Sequence, residues 1–271
     1  MQRTLVVTAD DLGVHPARDR GIFLAHAQGA VSQASLLVNG ISAACAARQA
    51  RARGLSLGLH LNLTEGRPCS ASPRTLVGAD GLLRGKFGFR LALAAEQIDL
   101  GEVVGETTAQ LAAFERLCGH PASHVDGHQH VHVLPEVAAV LAPLLAEAGV
   151  RTTRIPHEAQ PTIAFHHAVS AAAATARATF AQAGIGSSQT FVGLNLMGMS
   201  ASADGLLSAL AGCGAAASTE YMCHPGFPAT EGDIFNQSPA RRHELQVLTD
   251  GLREQLRESG YALVAFGAGR S

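Results

Sequence analysis

Apolar residues fall along this chain in two alternating rhythms. Short runs rich in Val, Leu and Thr, of a length that suits β-strands, are separated by longer Ala- and Leu-rich stretches with helical spacing. About eight runs read as strands: Arg3 to Ala9, Gln33 to Val38, Leu55 to Leu61, Ser123 to His128, Arg151 to Ile155, Gln189 to Leu194, Ser218 to Cys223 and Tyr261 to Phe266. The clearest helix is Pro135 to Ala148, where proline suits the first turn, Gly149 suits the C-terminal cap and Pro143 predicts a kink. A second is expected from Pro239 to about Ser259, with Ser238 as its N-cap and Gly260 after its end. The Ala168 to Ala178 stretch is a strong helix former.

Strands that alternate with helices build a parallel sheet. A doubly wound sheet usually carries a glycine-rich phosphate turn after its first strand, and here that strand ends in Ala9-Asp10-Asp11-Leu12-Gly13. The expectation is therefore one α/β domain folded as a closed or nearly closed barrel. Long connections at 66–102, 156–167 and 225–238 are expected to wall the active-site mouth; as variable surface loops they would carry no such role.

Composition narrows the function. Apolar residues make up 47% and charged residues 15% of the 271, enough for a large buried core. The net charge of -2 and the lack of a basic stripe exclude nucleic acid as a partner. No apolar run reaches membrane-span length, and Met1 to Ala9 lacks the features of a signal peptide. Five cysteines without a C-x-x-C pair argue against a disulfide framework, so the cytoplasm is the default location; Cys223, beside His224, is the one to watch.

The densest chemical signal is His124-Val-Asp126-Gly-His128-Gln-His130-Val-His132, in which every even position is ionisable. Strand alternation would aim His124, Asp126 and His128 into the barrel, where imidazoles can ligate a metal. Asp10 and Asp11 close the first strand, and buried carboxylates need a cation beside them; with one as ligand, the other is available as a general base. The plain alternative for this pair is a helix cap and its neighbour. His60, in Gly58-Leu59-His60-Leu61, reads alone as a core histidine, but one barrel end gathers it with Asp11 and His128. Two histidines and a carboxylate leave positions open for water and substrate. After later strands come Arg154, suited to orient a carboxylate, and His224, suited to act as general acid.

These motifs, Thr8-Ala-Asp10-Asp11-Leu12-Gly13, Gly58-Leu-His60-Leu, the His124 to Pro135 segment and Cys223-His224-Pro225, resemble those of the YdjC-like carbohydrate deacetylases. The resemblance runs from the first strand to about residue 267. Leu12 stands where that family often has Phe. The resemblance implies a deformed (β/α) TIM-like barrel related to the NodB-type polysaccharide deacetylases. It also implies one divalent cation on Asp11, His60 and His128, and hydrolysis of an N-acetyl group from an amino sugar. Asp10 would be the base, Arg154 the group that positions it, and His224 the acid. Family precedent leans to magnesium, whereas the donor set equally suits zinc.

With aromatic residues at 4% and no Trp, a short N-acetylated sugar or oligosaccharide is expected in preference to a polymer. Expected substrate contacts are Asp126, His130 and Phe227, with Tyr221, Phe87 and Phe89 as further aromatic candidates. A homodimer is expected from the frequency of dimers among soluble enzymes. Two other functions fit the residues: an amidohydrolase taking His128 and His130 as paired ligands, and a catalytically silent barrel that binds metal or sugar. A glycosidase, needing two carboxylates and no metal, fits less well.

Overall fold

A computed structural model describes residues 3–230 and 234–266 of the chain. Eight parallel strands run through it: β1 (Arg3–Leu12), β2 (Gln33–Leu36), β3 (Ser56–Leu61), β4 (His124–Gly127), β5 (Thr152–Thr153), β6 (Thr190–Val192), β7 (Ser218–Cys223) and β8 (Tyr261–Leu263). Between them lie helices α1 (Pro16–Ala27), α2 (Ala43–Arg53), α3 (Gly85–Ala94), α4 (Leu100–Cys118), α5 (Pro135–Glu147) and α6 (Ala164–Gln182). The chain continues through α7 (Ala203–Gly212), α8 (Ile234–Gln237), α9 (Ala240–Thr249) and α10 (Leu252–Glu258).

The strands pair in the order β5-β4-β3-β2-β1-β7-β6, and β8 pairs with the first residues of β1. Among the described residues no ladder joins β5 to β6; a single bridge from Thr152 to Gly186 spans part of that gap. The barrel is thus deformed and incompletely closed. All eight expected strands are present, several shorter than their apolar runs, since β5 keeps only two residues in register.

Side chains alternate across each strand. One set, including Leu5, Val7, Ala9, Leu59 and Val125, joins the apolar core shared with the helices. The other set fills the barrel with polar groups: Gln33 donates to Thr8, Thr8 to Glu220, and Ser35 to Asp126. TIM barrels more often fill this space with branched apolar residues. Gly58 makes room in the same layer, because a Cβ there would lie 2.6 Å from the ring of His124.

Some expected boundaries move. The expected helix from Pro239 to Ser259 is two, α9 and α10, broken where Gly251 takes a left-handed φ of 81°. The 66–102 connection contains α3, whose Phe89, Ala92 and Leu93 are buried while its glycines masked the helical pattern. The 156–167 connection ends in the first turn of α6, and 225–238 holds α8, with 231–233 outside the described residues. Met1, at the head of the segment read for a signal peptide, also lies outside them. No helix among the described residues is long and apolar enough to cross a membrane.

Candidate active site

The site begins with an irregularity in β1. Ala9 pairs with Ala34 and Leu12 with Leu36, so β1 carries one residue more than β2 across this interval. The extra residue makes a β-bulge, and Asp11 adopts φ 67°. Adjacent strand residues ordinarily face opposite sides. The bulge cancels that alternation and brings Asp10 and Asp11 to the same cavity. Aspartate is one of the few non-glycine residues that tolerates the left-handed region.

A second irregularity follows β4. Gln129 and His130 have φ of 54° and 60°, so the strand ends at Gly127 and the chain turns. His128 therefore stands on the turn instead of the strand, and reaches Asp11 from it. Its Nδ1 lies 3.0 Å from Asp11 Oδ1, and His60 Nε2 lies 3.5 Å from the same oxygen. Ligand atoms of Asp11, His60 and His128 all fall within 4.8 Å of one another. Asp11 Oδ1 is buried and makes no well-formed hydrogen bond. A buried carboxylate oxygen with two imidazoles aimed at it fits a divalent cation, and the nitrogen donors suit zinc or another first-row metal.

Electrostatics favour positive charge here. Burial alone would raise the Asp11 pKa, but His128, His60 and Arg18 hold it well below the usual range. Burial would lower the two histidines, yet Asp126 and Asp10 raise His60 to about 10, and Asp11 with Glu65 raises His128 to about 9.

Arg154 ties the cluster to its surroundings. Fully buried, it donates to both oxygens of Asp10 at 2.6 and 2.8 Å, and its Nε donates to Glu220 at 2.9 Å. Its Nη2 is also 2.9 Å from Asp126 Oδ2. Asp126 in turn accepts from His60 Nδ1 at 2.6 Å and from Ser35 at 2.6 Å. Burial raises the Asp126 pKa, but Arg154 and His60 more than offset this and hold it well below the ordinary value.

His224, just past β7, lies with Nε2 3.8 Å from Asp10 Oδ2. Glu244 of α9 holds this segment: one oxygen accepts the His224 backbone N–H at 2.6 Å and lies 3.8 Å from its Nδ1, and the other pairs with Arg241. Burial works to raise Glu244, while His224 and Arg241 lower it below its usual pKa.

Asp10, Asp11, His60, His128, His130 and His224 meet at the floor of a cavity of ≈ 650 Å³. Its walls come from all three long connections: Lys86 and Phe87, then Phe165, then Ile234 and Phe235. Two expected substrate contacts are elsewhere. Asp126 is 0% exposed, sequestered behind His60 by its own hydrogen bonds. Phe227 packs under Arg20, with its backbone tied to α1, and does not line the cavity. Tyr221, Phe89 and Cys223 are buried in the core. The sequence reading missed Glu65, Arg18, Glu220 and Glu244. Only Glu220, a charge inside a β-forming run between Thr219 and Tyr221, gave a signal that could have been noticed.

The profile of the YdjC-like protein family matches residues 4–258. The chain is 43% identical over 288 aligned positions to a carbohydrate deacetylase of Homo sapiens, covering 96% of this chain and 89% of that protein. A chitooligosaccharide deacetylase of Serratia marcescens is 41% identical over 138 positions, 51% of this chain and 53% of that one. Among solved structures, a candidate cellobiose-phosphate cleavage protein of Enterococcus faecalis V583 superposes with a TM-score of 0.79 at 25% identity, covering 98% of each chain.

Proposed function

This chain belongs to the YdjC-like protein family, and on that premise we propose that it hydrolyses the N-acetyl group of an amino sugar, using one divalent cation on Asp11, His60 and His128. The observation that carries the reading is the convergence of a metal-fitting triad, an arginine-clamped carboxylate and a histidine on one cavity floor. The deacetylase names of the human and Serratia relatives support the reaction class.

A divalent cation at this site would supply Lewis acidity and make water a better nucleophile at neutral pH. Asp10 takes the proton of the attacking water. Arg154, gripping both oxygens of Asp10, fixes the direction of that transfer. His224, with Nε2 3.8 Å from Oδ2 of the same carboxylate, delivers a proton to the amide nitrogen as the C–N bond breaks. Acetate and a free amine leave. Asp126 holds His60 in the tautomer that presents Nε2 to the site. Phe87, Phe165 and Phe235 offer apolar faces for one or two sugar rings, which suits N-acetylglucosamine and its short oligomers.

The amidohydrolase alternative needs His130 as a ligand. Among the described residues no close cluster of metal-ligating atoms includes it, because the left-handed turn separates it from His128.

The test is acetate release from N-acetylglucosamine and its dimer and trimer by metal-stripped protein, with zinc, cobalt, manganese or magnesium restored. Release that returns with metal and is lost in His128→Ala is the expected result. Stoichiometric metal binding without release from any of these sugars would overturn the reading in favour of a silent binder.

A further inference from the structure

The two imidazoles of the cluster are each backed by a carboxylate on the side away from Asp11. For His60 it is Asp126, at 2.6 Å from Nδ1. For His128 it is Glu65, whose Oε2 lies 3.2 Å from Nε2. We propose that Glu65 is the positioning residue of His128, fixing the tautomer and ring orientation that turn Nδ1 toward Asp11, so that cation affinity depends on it. This rests on the metal-site reading above.

An ionised carboxylate only accepts, so the nitrogen facing it carries the proton. A neutral imidazole has one such proton. With Nε2–H donated to Glu65, a neutral His128 would present its Nδ1 lone pair to a cation held beside Asp11; with Nδ1–H donated to Asp126, a neutral His60 would present Nε2. The two histidines thus enter the site through opposite nitrogens, and each outer carboxylate selects the one used. Outer partners of this kind also raise ligand basicity.

Glu65 is itself held for the task. Its backbone N–H donates to Asn62 Oδ1 at 3.0 Å, and its carbonyl accepts from the amides of Asn62 and Asn39 at 2.8 and 3.1 Å. Its second carboxylate oxygen accepts from Gln129 Nε2. Gln129 is the first left-handed residue after His128, and its carbonyl accepts from Arg90 at 2.8 Å. One carboxylate therefore fixes both the His128 ring and the turn that carries it. Asp126 is sealed in the barrel, whereas the Glu65 side chain is 37% exposed at the cavity wall. Glu65 can therefore be replaced without leaving a buried cation unpaired.

Titration calorimetry of the metal-stripped protein with zinc or cobalt tests this, with thermal melts as control. In Glu65→Ala the dissociation constant should rise roughly 10- to 100-fold, the usual cost of losing an outer-shell partner, with a cooperative melt showing that the fold is retained. Glu65→Gln should recover most of the loss, because its amide oxygen still accepts from Nε2–H, and its cobalt spectrum should match that of the unaltered protein. Unchanged affinity in Glu65→Ala would overturn the proposal. So would a cobalt spectrum altered in Glu65→Gln, which would make Glu65 a direct ligand. Failure of the unaltered protein to bind either metal would instead overturn the metal-site reading itself.

Discussion

Arg154 and Asp10 meet through two nearly parallel hydrogen bonds, Nη1 to Oδ2 and Nη2 to Oδ1, inside a barrel that gives Arg154 no exposure. A lysine carries the charge but cannot form that fork. Arg154→Lys is therefore expected to fold and bind metal while losing about 100-fold or more in kcat, with KM changed little, since misdirected proton transfer is a transition-state defect. Steady-state acetate release gives the split; a change confined to KM would refute the orienting role.

Asp126 serves two partners at once. Asp126→Ala leaves Arg154 with less compensating charge and His60 without its acceptor. Breaking a buried pair of this kind costs roughly 3–5 kcal/mol. Urea unfolding should show a loss of that order, and calorimetry a weaker metal site. A variant as stable as the parent would contradict the network drawn here.

Protonation couples to both folding and metal. In the metal-free protein His60 and His128 have pKa values raised to about 10 and about 9. Groups raised in the folded state stabilise it fully below their unfolded pKa of about 6.5, and that stability is lost as pH rises through 9 to 10. Melting temperatures of stripped protein should fall across this window. A cation must displace one proton from each ring, so binding at pH 7 should release about two protons, measurable by calorimetry in buffers of different ionisation enthalpy. Release of none would contradict these ligands.

Helix α1 comes close enough to the β7 connection that a Cβ on Gly21 would sit 2.4 Å from the Gly226 Cα, backbone against backbone. Gly21→Ala should cost about 1–3 kcal/mol by overpacking. It should also reduce kcat, because Arg18 of the same helix donates to the His224 carbonyl. Denaturant unfolding and kinetics on the same preparation check both.

Phe87 is 67% exposed on the cavity wall. If it supports a sugar face, Phe87→Ala should raise KM roughly 2- to 10-fold, the range of an aromatic contact, with melting temperature and kcat unchanged. An unchanged KM for every sugar tested would remove Phe87 from the binding surface.

Much of this architecture is written locally. The short β-rich runs and intervening helical stretches specify eight strands and the barrel class, because run length and helical spacing are properties of neighbouring residues. Asp10, Asp11, His60, Arg154 and His224 are legible as candidate site residues for the same reason: they are polar groups at the ends of apolar runs, and a parallel barrel gathers all such ends. Low aromatic content argued for a short substrate over a polymer but could not say that three phenylalanines, Phe87, Phe165 and Phe235, line one cavity.

Tertiary structure decided the rest. Strand alternation by itself would send Asp10 and Asp11 to opposite faces; only the bulge against β2, with Asp11 at φ 67°, unites them. Strand alternation suggested one face for His124, Asp126 and His128, but the strand ends at Gly127 and the left-handed turn at Gln129 and His130 leaves His124 and Asp126 in a buried network and His128 in the cavity cluster. Glu65, Glu220 and Glu244 reach the site from separate segments, and Asp126 and Phe227, expected as substrate contacts, do not line the cavity. Local pattern fixes which face of an element is polar. Which polar groups then share one proton or one cation depends on distances of about 3 Å between strands far apart in sequence, and these exist only once the barrel has curled.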